Sequence, residues 1–60
     1  MSQEGVYRYL KRFRKGTADE IARYLRIRRS TVLTSLRRMM KYGEVDYFVK
    51  GRKRIYFLKK

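Results

Sequence analysis

Arg29-Ser30-Thr31-Val32-Leu33-Thr34-Ser35-Leu36-Arg37-Arg38-Met39-Met40-Lys41-Tyr42 is the stretch whose reading decides the fold. As a helix it has two faces. Val32, Leu36 and Met39 recur at helical spacing, flanked by Leu33 and Met40, and would face a core. Thr31, Thr34, Ser35 and Arg38 recur on the other side. They are short hydrogen-bonding groups that end in a long guanidinium. Such a face can lie close to a nucleic-acid groove, because nothing bulky holds the backbone away from it.

Upstream, Thr17-Ala18-Asp19-Glu20 has the form of a capping box, with Thr17 bonding the amide of Glu20 and Glu20 reaching back to the amide of Thr17. Asp19 and Glu20 also suit the positive end of a helix dipole. A helix over about 18–25 follows, with Ile21, Ala22 and Leu25 as its apolar face. Small Ala22 would let another helix approach closely. Ile27 anchors a tight connection to the long helix, which runs over about 29–42. Gly43 is its natural stop, since glycine takes positive φ without strain.

The first helix is expected over about 3–14, capped by Ser2. Val6, Tyr9, Leu10 and Phe13 form one buried stripe at i, i+3, i+4, i+7. Tyr7 falls just off it, and either widens the core or marks a subunit contact. Gly16 is the expected stop, with Lys15 in the last turn. The remaining tyrosines, Tyr24, Tyr42, Tyr47 and Tyr56, fall on or near the proposed core faces.

After Gly43 the period changes. Val45-Asp46-Tyr47-Phe48-Val49 and Arg54-Ile55-Tyr56-Phe57-Leu58 are β-prone runs around Lys50-Gly51-Arg52-Lys53, which reads as a hairpin over about 45–58. A four-residue loop pairs Val49 with Arg54, Tyr47 with Tyr56 and Val45 with Leu58. Val45, Tyr47, Val49, Tyr56 and Leu58 are then the inward face. The other face carries Asp46, Phe48, Ile55 and Phe57 and is too apolar for ordinary exposure. It packs on a helix, makes a dimer contact, or stays a partly exposed aromatic face.

Sixty residues make one domain, over 1–60, and bury only about 60% of the surface of the unfolded chain. No cysteine or histidine is present, so disulfides, thiolate metal sites and the commonest general base are excluded. Six tyrosines and three phenylalanines leave aromatic packing as a source of stability. The chain holds 18 basic and 5 acidic residues, a net charge of +13. Ion-pair networks of heat-adapted surfaces need more acids than that. A polyanion, and nucleic acid above all, is the expected partner. No apolar run is long enough to span a membrane and the N-terminus does not look like a secretion signal, so a cytoplasmic protein is expected. The arginine-rich composition without cysteine or proline hints at a heat-adapted source, an archaeon or its virus. No catalytic constellation, cofactor motif or metal cluster stands out, and neither an enzyme nor a small-molecule binder is expected.

The spaced residues Thr17, Glu20, Ile21, Ala22, Leu25, Ile27, Ser30, Thr31, Val32, Leu36, Met39, Gly43 and Val45, followed by Gly51, Tyr56 and Leu58, resemble a winged helix-turn-helix domain. The pattern is similar to the DNA-binding core of small bacterial and archaeal transcription regulators, such as the MarR-like and Lrp-like groups. The implied fold is α+β, three helices followed by a two-stranded β-hairpin wing. The implied docking places the second helix of the helix-turn-helix in the major groove, with the wing on phosphates or the adjacent minor groove. Arg28, Arg29, Ser30, Thr31, Thr34, Ser35 and Arg38 are then the DNA-facing set of the recognition helix. Arg38 suits bidentate contact to a guanine edge, and Thr34 a thymine methyl. Lys50, Arg52, Lys53 and Arg54 are the wing contacts, with Thr17 and Lys15 as weaker additions.

Two departures carry consequences. Many members of these groups have Gly or Asn at the place of Arg26 and a capping Ser at the place of Arg28. With arginine at both, the recognition helix either starts later, capped by Ser30, or leaves its first amides to water or a DNA phosphate. The chain is also shorter than members with effector or dimerisation domains, leaving no room for a ligand pocket. The reading is therefore sequence-specific binding of double-stranded DNA by a transcription regulator, as a homodimer or singly. An RNA-binding or protein-assembly module on the same fold, or a non-specific chromatin-type DNA binder, stays open beside it.

Overall fold

The computed structural model describes residues 2–59, with side chains from residue 3 onward. The Ser2 cap and the basic end at Lys60 lie outside the described side chains. The elements are α1 (Ser2–Phe13), β1 (Lys15–Gly16), α2 (Ala18–Leu25), α3 (Arg29–Lys41), β2 (Val45–Lys50) and β3 (Lys53–Leu58). The strands form one antiparallel sheet in the order β1-β3-β2. This is the winged helix-turn-helix architecture: α2 and α3 make the helix-turn-helix, and β2 and β3 the wing.

Helix ends show why the segments fall where they do. α2 opens on the full capping box: Thr17 Oγ1 accepts from the Glu20 amide at 3.1 Å, and Glu20 Oε1 from the Thr17 amide at 2.9 Å. It closes on Arg26, which takes a left-handed conformation at φ 58°, and the Ile27 amide donates back to the Ala22 carbonyl at 3.1 Å. A non-glycine residue pays about 1–2 kcal/mol in backbone strain there. α3 closes on Gly43 at φ 72°, with the Gly43 amide bonded to Met40 O and the Glu44 amide to Met39 O. That pair of bonds is a Schellman ending.

α3 is the hub, packing against α1, α2 and β2. Val32, Leu36 and Met39 are buried with Val6 and Leu10 of α1, Ala18, Ile21 and Ala22 of α2, and Val45 and Tyr56 of the wing. Ile27 is half-buried against this core. The hairpin register is Val45↔Leu58, Tyr47↔Tyr56 and Val49↔Arg54, as the sequence predicts. Lys50 also pairs with Lys53, so the loop is only Gly51-Arg52. Gly51 sits at φ 66°, the positive angle that a type II′ turn requires at its first position.

Several expectations need correction. α1 stops at Arg14, which is left-handed at φ 74° and donates its amide to Leu10 O at 2.9 Å. Lys15 and Gly16 are not the end of that helix. They form a third strand, Lys15 opposite Phe57 and Gly16 opposite Tyr56. A two-residue strand has no periodicity to read, which is why it escapes the sequence. Gly16 is buried because Tyr9 lies on it; a Cβ there would meet Tyr9 Cε1 at 2.7 Å. Phe13, Tyr24 and Tyr7 are exposed at 43%, 54% and 42%, outside the core. Phe13 and Tyr24 instead pack on half-buried Tyr9 in tilted and edge-to-face contacts, with ring centroids 4.7–5.3 Å apart. Tyr42 follows the last turn of α3 and Val49 nears the wing tip, and both point to solvent. The second face of the hairpin is not covered by a helix. Phe48 is exposed and Ile55 and Phe57 are half-buried.

Two consequences are measurable. Gly16→Ala must displace a Tyr9 ring held by two others, so denaturant unfolding should show a loss of about 1–3 kcal/mol. A loss below a few tenths would show that the ring yields freely. The Tyr9 phenol is pushed above its ordinary value of 10.0, first by burial and then by the charges of Glu20 and Tyr24. The fold thus favours the neutral phenol. Its contribution is intact below pH 10.0 and is lost as pH rises through the raised value. Thermal melting should therefore fall less steeply above that pH in Tyr9→Phe than in the parent.

Candidate nucleic-acid interface

The helix-turn-helix presents α3 because α2 and α1 occupy its inner side. At about 100° per residue, Ser30, Thr34, Arg37 and Lys41 lie farthest from the Val32–Leu36–Met39 stripe. All four are exposed. Thr31 and Arg38 are exposed on the flank away from the wing, and Arg29 and Arg37 line the flank toward it. Arg28 is exposed just ahead of the helix as its N-cap.

Ser35 does not belong to this surface. It is 2% exposed and lies among the core residues of α3. The geometry explains it: Ser35 comes within about 60° of Val32 around the helix, against about 100–120° for Thr31 and Arg38. The stripe Thr31–Thr34–Ser35–Arg38 therefore has one edge inside the buried arc. A small side chain there lets the neighbouring element approach. Sequence reasoning missed Arg37, although its place with Ser30, Thr34 and Lys41 at i, i+4, i+7, i+11 was open to reading.

The choice at the start of α3 is resolved. The helix begins at Arg29, its N-cap Arg28 is extended at φ −71° and ψ 146°, and no side chain caps its first amides. Ser30 is inside the first turn; its carbonyl accepts from Thr34 Oγ1 at 3.0 Å. With its hydroxyl spent on the backbone, Thr34 has its methyl left to offer a partner. Arg29 Nε reaches back to Asp19 Oδ1 at 2.8 Å, tying the first turn of α2 to the first turn of α3. Both partners are well exposed, so the pair adds little stability, of order 0–1 kcal/mol. Its effect is to hold one guanidinium at the helix start.

Between α3, the first turn of α2 and the wing lies a cleft of about 640 Å³. Arg29 and Arg37 of α3 and Arg52, Lys53 and Arg54 of the wing line it, together with Thr17, Asp19, Glu20 and Arg23 from the α2 side. Lys50, Arg52, Lys53 and Arg54 are all exposed at the wing tip. The Arg54 guanidinium lies 5.0 Å over the Tyr47 ring, which holds a long side chain on the cleft side. Thr17 reaches the cleft, but its hydroxyl is committed to the capping box. Lys15 is not brought here. It stands in β1 opposite Phe57, on the outer side of the sheet.

Acids are few, five in all, and four of them are engaged. Asp19 holds Arg29, Glu20 closes the capping box, Glu4 pairs with Arg8 at 3.6 Å, and Asp46 accepts from the Tyr47 amide at 2.8 Å. Among the described residues, Arg8 and Arg29 are the basic side chains in ion pairs. The surface is thus built from guanidinium and ammonium groups that the protein itself leaves largely uncompensated. It can neutralise phosphates along a backbone and set a helix with short polar side chains between them. No group of acidic side chains able to hold a metal ion occurs among the described residues. No helix among them is long and apolar enough to cross a membrane.

Six solved chains match this one. One comes from a structure of HOP2 concerned with its DNA recognition and protein interaction domains and with homologous DNA pairing. It covers 98% of this chain and 100% of its own at TM-score 0.84, with 20% sequence identity, a likeness of fold. No curated protein matches. A family model described as sugar-specific transcriptional regulator TrmB matches residues 2–60, which takes in α1, the helix-turn-helix and the wing together. The chain belongs to the TrmB family of transcriptional regulators.

Proposed function

We propose that the chain binds double-stranded DNA in a sequence-specific manner as a transcription regulator. α3 enters the major groove, and the wing lies on the phosphate backbone or in the adjacent minor groove. The observation that carries this is the convergence of Arg29, Arg37, Arg52, Lys53 and Arg54 on one cleft beside an exposed helix face of small polar residues. A groove-reading helix needs that low relief, and a backbone needs charge on either side of it. Membership of the TrmB family of transcriptional regulators supports the same reading.

The roles follow from placement. Arg37 and Arg38 are the candidates for bidentate contact to guanine, and Thr34 for a thymine methyl. Ser30 and Thr31 are short enough to bond phosphate, as are the uncapped first amides of α3. Lys50, Arg52, Lys53 and Arg54 contact phosphate. Arg28 adds charge at the entry of the helix. The protein acts as a binding module without catalysis, cofactor or small-molecule ligand, in the cytoplasm. It serves a palindromic operator as a homodimer, or a single site alone.

Titration of labelled duplexes at several salt concentrations tests this. Log affinity should fall linearly with log salt, by about 0.9 for each phosphate neutralised. Arg52→Ala/Lys53→Ala should flatten that slope on every duplex. Thr34→Ala/Arg38→Ala should erase about 1–3 kcal/mol of discrimination between a selected site and random DNA. An unchanged ratio between selected and random duplexes in that variant would count against groove reading by α3. A parent protein with no preference at all would indicate chromatin-type binding instead.

A further inference from the structure

The wing has a second side, turned away from α3. Strand alternation places Phe48 and Lys50 of β2, Lys53, Ile55 and Phe57 of β3, and Lys15 of β1 on it. Phe48 is 42% exposed, and its ring lies beside Phe57, with centroids 6.0 Å apart at 39°. Lys15 stands directly opposite Phe57 across one ladder, and Lys50 opposite Lys53 at the end of the other. Asp46 is the one acid on this side, and it accepts a bond from the Tyr47 amide. The face is thus two aromatic rings with ammonium groups at both ends.

We propose that this outer face of the sheet binds single-stranded nucleic acid, with bases stacked on Phe48 and Phe57 and phosphates on Lys15, Lys50 and Lys53. Aromatic rings take any base by its π-face, and basic groups beside them follow the backbone. The 6.0 Å between ring centroids suits successive bases of a strand drawn out beyond the ~3.4 Å spacing of a stacked duplex. A duplex keeps its base faces covered and cannot use these rings. A second copy of the chain fits poorly, because it would bring lysine against lysine in a molecule of net charge +13. Phe48, Phe57 and Lys15 lie outside the α3 cleft, which shares only Lys53 with this face, and the inference does not depend on how α3 reads duplex DNA.

The test is fluorescence anisotropy of the full chain with a short labelled oligothymidylate, an oligouridylate and a duplex. Phe48→Leu/Phe57→Leu keeps apolar bulk and removes both rings. Its single-strand affinity should fall about tenfold or more per ring, with duplex affinity and melting temperature close to the parent's. Lys15→Gln should lower the single-strand salt slope by about 0.7, a change that survives even where the double variant folds poorly. The two oligonucleotides tell which sugar is preferred. Single-strand binding that is unchanged in both variants, or is lost instead on Thr34→Ala/Arg38→Ala, overturns the proposal. So does a double variant whose only change is in sedimentation, which would make the face a contact between copies.

Discussion

Everything in this molecule depends on how one helix is held by so little core. Val32, Leu36 and Met39 are the residues through which α3 meets α1, α2 and the wing at once. Removing the buried part of Leu36 alone is the kind of change that costs about 2–5 kcal/mol, a large share of the total for a domain of this size. The chain carries a net charge of +13 that opposes compaction. Small residues at the crossings, Ala18, Ala22 and Ser35, bring the elements close enough for a short apolar list to suffice. The exposed rings Phe13 and Tyr24 extend that list outward through Tyr9, and Gly16 makes room for it.

The same economy shapes the electrostatics. Acids are placed where they organise backbone or join elements: the capping box of α2, the Asp19–Arg29 link, the Asp46 bond to its neighbour's amide. Among the described residues, neither ion pair involves a side chain of the wing. The result is a protein whose charge is unbalanced on the surface that α3 and the hairpin share. Left-handed arginines at positions 14 and 26 fit the pattern. Glycine would relieve the backbone there, but arginine keeps a cation at each helix end, where the dipole favours it.

Much of this was legible in the sequence, for identifiable reasons. The capping box is a four-residue signature with one local solution, and the structure has it. Hairpin register follows from alternation together with a glycine at the tip, and every predicted pair is present. The Gly43 stop is equally local. What could not be read depended on other parts of the chain. β1 exists only because β3 offers it an edge. Phe13 has the spacing of a core residue, but α1 ends at that point and the core does not reach so far. Ser35 has the chemistry of a groove-facing residue; its burial depends on the angle at which α3 packs, which spacing alone does not give. Arg37 was the converse case, a residue of unremarkable type placed on the cleft by that same angle.

Only Tyr42, Gly43 and Glu44 separate the last turn of α3 from the wing, and all three are tied down. The Gly43 and Glu44 amides bond back to α3, and the Glu44 carbonyl accepts from the Lys59 amide beyond the far strand. Helix and hairpin therefore turn as one rigid lever. For a molecule meeting a long partner by diffusion, this reduces two orientational searches to one. Whichever arm lands first sets the angle of the other, and a misplaced arm cannot adjust without lifting its neighbour. On the proposed reading, a wrong site is rejected by how quickly the whole lever lets go.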